Sequence, residues 1–107
     1  MLELGAGFYY GGSEIPIKLG NKTFRSDLVF FNTELDCYVI IELKLNESTI
    51  KDIGQIEFYV NYYDSHRKKS YYNPTIGITI SKKIDKNIIN YNNKSNIKHS
   101  TYKLLEK

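Results

Sequence analysis

The sequence predicts an α/β fold, a mixed sheet of four or five strands flanked by helices. Residues 38–41 form an unbroken run of β-branched and aromatic side chains, which is typical of a buried central strand. Residues 49–65 repeat apolar side chains at helical spacing, and residues 75–81 alternate like a strand. Strands separated by a helix most naturally pair in parallel. At 107 residues, the chain from 1 to 107 is expected to form a single domain.

The first strand is predicted over residues 8–10 and 15–19, with an interruption at Gly11-Gly12. The paired glycines favour a bulge or a bend, and Pro16 favours an edge position. A turn at residues 20–22 leads into a second strand over residues 24–31. We therefore expect a meander whose third strand, over residues 37–44, lies at the centre.

The second and third strands bring two carboxylates together. If the turn centres between Glu34 and Leu35, an antiparallel hairpin places Asp27 opposite Glu42. Directly opposed side chains have Cβ atoms about 5 Å apart, so the two carboxylates would share a proton or need a cation. Alternation puts Lys44 on the same face as Glu42. The alternative is that the strand simply emerges into water at Glu42.

The predicted helix begins after polar capping residues at 46–48 and ends near Ser65. Gln55 and Tyr59 lie one turn apart at the edge of its apolar stripe, from which a glutamine amide can reach a site at the end of the sheet. The alternative is an interfacial glutamine and a core tyrosine. The apolar stripe consists of Ile53, Ile56, Val60 and Tyr63.

A basic segment follows the helix. Arg67, Lys68 and Lys69 precede two tyrosines, a pattern that can bind phosphates and stack a base. A solvated loop is the alternative interpretation. Further on, the sequence predicts a short helix from Asp85 to about residue 91 and a last edge strand over residues 101–105.

Composition sets the broad class. The formal net charge of +3 permits a polyanionic partner without requiring one. The one cysteine, Cys37, excludes an internal disulfide, suits a reducing cytoplasm and is expected to fill the core. No signal peptide or membrane-length apolar run is present, so we expect a cytoplasmic protein with no membrane partner.

The order Asp27, then Glu42-Leu43-Lys44 at the end of the next strand, resembles the Asp…(Asp/Glu)-X-Lys pattern of the PD-(D/E)XK nucleases. Ser26 stands where these nucleases usually have proline. Further segments together resemble the YhcG-like branch, a bacterial family whose C-terminal domain is a predicted PD-(D/E)XK nuclease. These segments, in the same order along nearly the whole chain, are residues 2–8, 27–31, 38–44, 54–55 and 73–78.

The resemblance implies a restriction-endonuclease-like core whose first helix is largely missing here. It implies that Asp27, Glu42 and the Leu43 carbonyl hold Mg²⁺ or Mn²⁺. Glu3 matches a glutamate of the family's first helix, so it is a possible further ligand, with a solvated carboxylate as the alternative.

The resemblance also implies roles for the other site residues. Lys44 would orient the attacking water or stabilise developing charge, Gln55 would position water or the backbone, and Tyr59 would line the site toward nucleic acid.

The implied function is metal-dependent hydrolysis of nucleic acid, expected to be DNA, with RNA left open. The alternative is a catalytically silent, nuclease-shaped module for DNA binding or protein assembly. The short N-terminus favours the alternative, whereas the presence of Asp27, Glu42, Lys44 and Gln55 favours catalysis. Loss of the first helix would expose an apolar sheet face, so we also expect a homo-oligomer.

Overall fold

The computed structural model describes residues 7–84 and 96–101. Five strands form one sheet in the order β1-β2-β3-β4-β5. β1, β2 and β3 are antiparallel neighbours, whereas β4 runs parallel to both β3 and β5. The predicted mixed α/β sheet with the third strand at its centre is confirmed. The elements are β1 (Phe8–Leu19), β2 (Lys22–Asn32), β3 (Cys37–Ser48), α1 (Ile50–His66), β4 (Ile76–Ile84) and β5 (Ile97–Thr101).

The turn between β2 and β3 fixes the register of the central hairpin. Asn32 is buried, and its Oδ1 accepts hydrogen bonds from the N–H groups of Glu34 (2.9 Å) and Leu35 (2.8 Å). Asp36 closes the turn in a left-handed conformation with φ of 49°, which aspartate tolerates better than most residues. Val29 then pairs with Ile40, as the hairpin prediction requires.

The edge strand β1 has the predicted irregularity. Its register against β2 shifts between Tyr10 and Gly12, and Gly12 has a φ of 143° that favours glycine. Pro16 lies in this outer strand, where its missing N–H removes no bond from the interior of the sheet.

Helix α1 packs on one face of the sheet. All four predicted stripe residues and Tyr59 are buried, and all of these except Ile53 pack in one cluster with Ile17, Val29, Ile40 and Ile97. Gly77 of β4 lies beneath the helix, where an added Cβ would stand 2.8 Å from side-chain atoms of Ile56 and of Val60. Glycine at this position therefore lets α1 approach the sheet closely.

The other face of the sheet holds a second apolar cluster. Cys37, Val39, Ile41 and Ile80 are buried in it, so the prediction that Cys37 fills the core is confirmed. Further apolar side chains of this cluster are only partly buried, namely Phe8, Leu28, Phe30, Ile76 and Ile78.

Several boundaries differ from the predictions. The N-cap of α1 is Thr49, not a residue of the 46–48 segment, because the carboxylate of Asp52 closes the first turn onto Thr49. β5 begins at Ile97, four positions before the predicted strand, because Ile97 is buried in the core under α1. The helix predicted from Asp85, the residues after Thr101, and Glu3 lie outside the described residues.

No helix in the part of the chain that the structure describes is long and apolar enough to cross a membrane.

Candidate active site

Asp27 and Glu42 meet where the β2–β3 ladder ends. The last cross-strand pair is Leu28 with Ile41, and the next positions outward are Asp27 and Glu42. There each carboxylate accepts a backbone hydrogen bond from the opposite strand. The N–H of Asp27 donates to Glu42 Oε1 (3.1 Å), and the N–H of Leu43 donates to Asp27 Oδ2 (2.8 Å). The side chains thus replace the ladder at this point and stand next to each other.

Glu42 is the more buried of the two acids, with 3% of its surface exposed. Burial raises the pKa of Glu42 to about 7, because desolvation disfavours the charged form. The hydrogen bond from the Asp27 N–H opposes this rise, the Asp27 charge adds to it, and the Lys44 charge lowers the pKa. At neutral pH, Glu42 is therefore close to the balance between binding a proton and carrying a charge that a cation could satisfy.

Lys44, two positions beyond Glu42, is held by a residue that sequence analysis missed. Its Nζ lies 3.1 Å from Asp52 Oδ1. The other oxygen of Asp52 accepts hydrogen bonds from the N–H (2.8 Å) and the hydroxyl (3.2 Å) of Thr49. Burial alone would raise the pKa of Asp52, but the bonds from Thr49 and Lys44 outweigh burial and lower the pKa.

Asp52 thereby ties Lys44 to the first turn of α1. The Thr-x-x-Asp spacing was the available sequence signal, since it is typical of a capping box. It indicates where the helix begins, but it does not reveal the bond to Lys44.

Gln55 and Tyr59 connect α1 to β2. Gln55 Nε2 donates to the Tyr59 hydroxyl (2.9 Å), which donates to the backbone carbonyl of Arg25 (2.7 Å). Tyr59 is 0% exposed and belongs to the core, whereas Gln55 is half-buried. A contact of Tyr59 with nucleic acid stays a prediction, as does the catalytic role of Gln55.

The row of polar residues continues across the sheet beyond the carboxylates. Glu42 pairs with Thr79 of β4, which pairs with His99 of β5. The Thr79 hydroxyl is hydrogen-bonded to His99 Nδ1, and burial lowers the pKa of His99. Sequence analysis did not single out either residue. The only signal for Thr79 was that it alternates with the isoleucines of the same strand and so faces the opposite side of the sheet.

The donor groups at the pair fit a small, hard cation. Asp27 and Glu42 offer carboxylate oxygens, and the Leu43 peptide beside them offers a carbonyl. Magnesium commonly binds one or two protein carboxylates and keeps several waters. Among residues 7–84 and 96–101, no three or more His, Cys, Asp or Glu side chains cluster closely enough to hold a metal.

The basic segment lies at the other end of the sheet from Glu42. Tyr72 packs on Phe31 and Tyr38, with ring centroids 4.8 Å and 5.8 Å away, and the N–H of Asn73 donates to the Asp36 carbonyl (2.8 Å). Tyr38 precedes Glu42 by four residues of β3, which corresponds to roughly 13 Å. Arg67, Lys68 and Lys69 are therefore not brought together with the carboxylates.

The sequence matches a known family over its whole length. Residues 1–107 match the model of the YhcG PDDEXK nuclease domain. The chain is also 36% identical over 80 residues to the putative nuclease YhcG of Escherichia coli strain K12. That alignment covers 75% of this chain and 21% of the relative. The chain thus spans about a fifth of the length of the curated relative it matches.

Solved structures share the fold. A repair endonuclease from Pyrococcus abyssi matches with a TM-score of 0.70 and 18% identity, over 91% of this chain and 39% of that one. EndoMS in complex with dsDNA matches with a TM-score of 0.64 and 14% identity, over 95% and 39% of the two chains. EndoMS in its apo form matches with a TM-score of 0.65 and 14% identity, over 95% of this chain and 41% of that one. At these identities the likeness concerns the fold.

Proposed function

Because this chain belongs to the YhcG PDDEXK nuclease domain family, we propose that it hydrolyses phosphodiester bonds of DNA with a divalent metal ion. The observation that supports this most is the pairing of Asp27 with a buried Glu42 through reciprocal backbone hydrogen bonds. A fold gains no stability from placing two acids side by side in a poorly solvated position. Such an arrangement is typical of a site that binds a cation.

We propose that Asp27, Glu42 and the Leu43 carbonyl hold Mg²⁺ or Mn²⁺. When bound, such an ion lowers the pKa of a coordinated water and neutralises charge on the phosphate. Glu3 remains a possible further ligand. The charged form of Glu42 is the one that binds a cation, so proton and metal compete for this carboxylate.

Lys44 and Gln55 act on the substrate in this proposal. Asp52 holds the Lys44 ammonium, whose charge acts on Glu42. In this proposal the ammonium donates to a phosphate oxygen and stabilises charge that develops there. Gln55 is anchored through Tyr59 to the carbonyl of Arg25, two residues before Asp27. In this proposal its amide orients water or the nucleic-acid backbone beside the pair.

DNA is the substrate we propose. One similar structure, EndoMS, was solved with dsDNA, and this chain carries a basic segment, Arg67 to Lys69, for phosphate contacts. RNA is the other polymer that these groups could accept, so both belong in the test.

A cleavage assay with and without Mg²⁺ or Mn²⁺ tests the proposal on linear, branched and single-stranded DNA and on RNA. We expect metal-dependent cleavage of DNA, and a loss of about 10²-fold or more in Lys44→Ala, comparable with removing one charge-stabilising donor. Lys22→Ala, an exposed lysine in β2, is the control and should cleave normally. Cleavage that is unaffected by chelator or by Lys44→Ala would contradict the proposal.

A silent, nuclease-shaped module for binding or assembly is the second candidate. The observation that favours it is that the Lys44 ammonium is already paired with Asp52, 3.1 Å away. Asp27→Asn separates the two candidates. A metal-binding nuclease should gain thermal stability from Mg²⁺ in the parent but not in this variant, whereas a silent module should show neither cleavage nor a metal effect.

Three broader expectations belong to the same proposal. Residues 1–107 act as one domain, the single buried cysteine suits the cytoplasm, and the domain forms a homo-oligomer. The partly buried apolar side chains around Phe8 and Phe30 support the last of these. Light scattering that shows a monomer at high concentration would contradict it.

A further inference from the structure

An open pocket lies between the first half of α1 and β2. It has a volume of about 370 Å³ and is lined by Phe24, Lys51, Gly54, Gln55 and Phe58. Phe24 precedes Asp27 by three residues of β2, which corresponds to roughly 10 Å. Gln55 links the pocket to β2, because its amide donates to the Tyr59 hydroxyl, which donates to the carbonyl of Arg25, two residues before Asp27.

Gly54 leaves the pocket open. It lies inside α1, where glycine is less favourable than alanine for the stability of a helix. Nevertheless, within residues 7–84 and 96–101, no atom of a packing neighbour lies within 4 Å of the position that a Cβ would take. Packing among the residues that the structure describes therefore does not require glycine here, in contrast to Gly77. A side chain at this position would instead project into the pocket.

The lining of the pocket has the chemistry of a nucleotide site. The rings of Phe24 and Phe58 lie 4.9 Å apart at 55° and are only partly buried, so they present aromatic surface on which a base can stack. Lys51 is exposed at the first turn of α1 and can meet a phosphate. Gln55 donates to Tyr59 through its amide nitrogen, and no described residue bonds its carbonyl oxygen, which is available to a base edge.

We propose that this pocket binds one unpaired nucleotide of the substrate strand, with its base against Phe24 and Phe58 and its phosphate near Lys51. A base inside a duplex is stacked between its neighbours and must leave the stack to enter such a pocket. The inference rests on the proposed function and deepens it, because it names the substrate as nucleic acid with an unpaired nucleotide near the cleaved bond.

The experiment uses Gly54→Leu and Gly54→Ala in chelator, so that binding is measured without cleavage. Both changes should raise the melting temperature, by about 4 °C or more for alanine, because helix propensity improves. Gly54→Leu should nevertheless bind a single-stranded DNA oligonucleotide about tenfold more weakly than the parent, with a smaller loss for Gly54→Ala. Affinity for a blunt duplex of the same sequence should be unchanged. A single-stranded RNA of that sequence shows whether the pocket also accepts ribonucleotides.

Asn61→Leu is the matched control, since Asn61 is an exposed residue two turns further along α1. It should bind the single strand like the parent. A 2-aminopurine base in the single strand should lose fluorescence on binding to the parent, because it stacks on an aromatic ring, and should lose less on binding to Gly54→Leu.

Each possible result is decisive. Equal single-strand binding by parent and Gly54→Leu, a parent that does not bind the single strand, or a lower melting temperature in Gly54→Ala would overturn the nucleotide pocket. If binding changes as expected but the parent does not cleave any substrate with Mg²⁺ or Mn²⁺, the pocket stands and the proposed hydrolysis fails.

Discussion

Glu42 and Asp27 are two acids that lie side by side, and backbone hydrogen bonds hold both of them. Each carboxylate accepts a peptide N–H of the neighbouring strand, so the metal-free protein has a way to hold both acids in place. Only Glu42 is deeply buried, and burial is the main cause of its raised pKa. The negative charge of Glu42 therefore destabilises the metal-free fold, and a bound cation would compensate for it.

The stability of the metal-free protein should therefore depend on the proton of Glu42. The pKa of Glu42 is raised from 4.5 to about 7 in the folded state, so between about pH 4.5 and pH 7 unfolding releases a proton. Stability should fall as the pH rises through this range, by up to about 3 kcal/mol, and then level off. Urea unfolding in chelator between about pH 4 and pH 8 measures this, and Glu42→Gln should lack the decrease.

Glu47→Gln, which changes an exposed glutamate of the same strand, should behave like the parent. Added Mg²⁺ should restore stability above pH 7, since metal replaces the proton. A decrease that persists in Glu42→Gln would place its cause in another group.

Much of the site followed from the sequence because it is local. The four-residue turn and the alternation of β2 and β3 determine that Asp27 meets Glu42, and both patterns can be read along one stretch of chain. Asp52, Thr79 and His99 were missed for the opposite reason. Their relation to the site depends on how α1, β4 and β5 are placed against β3, and residue spacing alone does not carry that information.

At the scale of elements, the first turn of α1 joins the helix to the end of β3. Asp52 uses one oxygen to close the helix onto Thr49 and the other to hold Lys44. Asp52 therefore connects the start of α1 to Lys44 of β3, on the side of the sheet where the carboxylates lie. A movement of the helix start would move the Lys44 ammonium with it.

Asp52→Asn should lower kcat for DNA cleavage by about tenfold or more while leaving KM nearly unchanged, because small displacements of a catalytic group are costly. The amide oxygen can still accept from Thr49, so the expected loss of stability is no more than about 1 kcal/mol. Steady-state kinetics and thermal melts measure the two effects separately.

Thr49→Ala is the matched control for Asp52→Asn. It removes a hydroxyl bonded to Asp52 but leaves the ion pair, so it should reduce stability more than kcat. If Asp52→Asn retains full kcat, then Asp52 does no more than cap the helix.

The elements themselves were predicted well where apolar residues repeat and poorly where they do not. The stripe of α1 and the isoleucines of β4 gave clear periods, and the structure has both elements there. β5 carries one buried apolar residue, Ile97, in a polar stretch, so its pattern was too weak to fix the start of the strand. Its position depends on contacts with α1 and β4 that lie far away in the chain.

At the scale of the whole molecule, two candidate contacts with nucleic acid lie apart. The carboxylate pair and the nucleotide pocket lie toward the start of α1, whereas the basic segment follows its end. The separation of roughly 13 Å along β3 corresponds to about four base steps of 3.4 Å. A substrate that reaches both places must extend along the sheet.

Replacing Arg67, Lys68 and Lys69 together with alanine should weaken DNA binding and reduce its dependence on salt. The slope of log K against log salt should become shallower by about 0.9 for each side chain that contacts a phosphate of a duplex. Anisotropy titrations in chelator over a range of salt concentrations measure the slope.

The control for that triple variant removes the same charge elsewhere, from the exposed Lys18, Lys22 and Lys98. It should alter the slope less. Equal effects of the two triple variants would indicate attraction by net charge alone. The basic segment would then be a solvated loop that does not contact DNA.

The reciprocal bonds at the end of the β2–β3 ladder also make the site observable without any substrate. The amide protons of Asp27 and Leu43 are held by side-chain carboxylates. A ligand that binds those carboxylates competes with both amide N–H groups for the carboxylate oxygens. Their hydrogen-exchange rates therefore report whether the site is loaded, even when the reaction it performs and its true substrate have not been assayed.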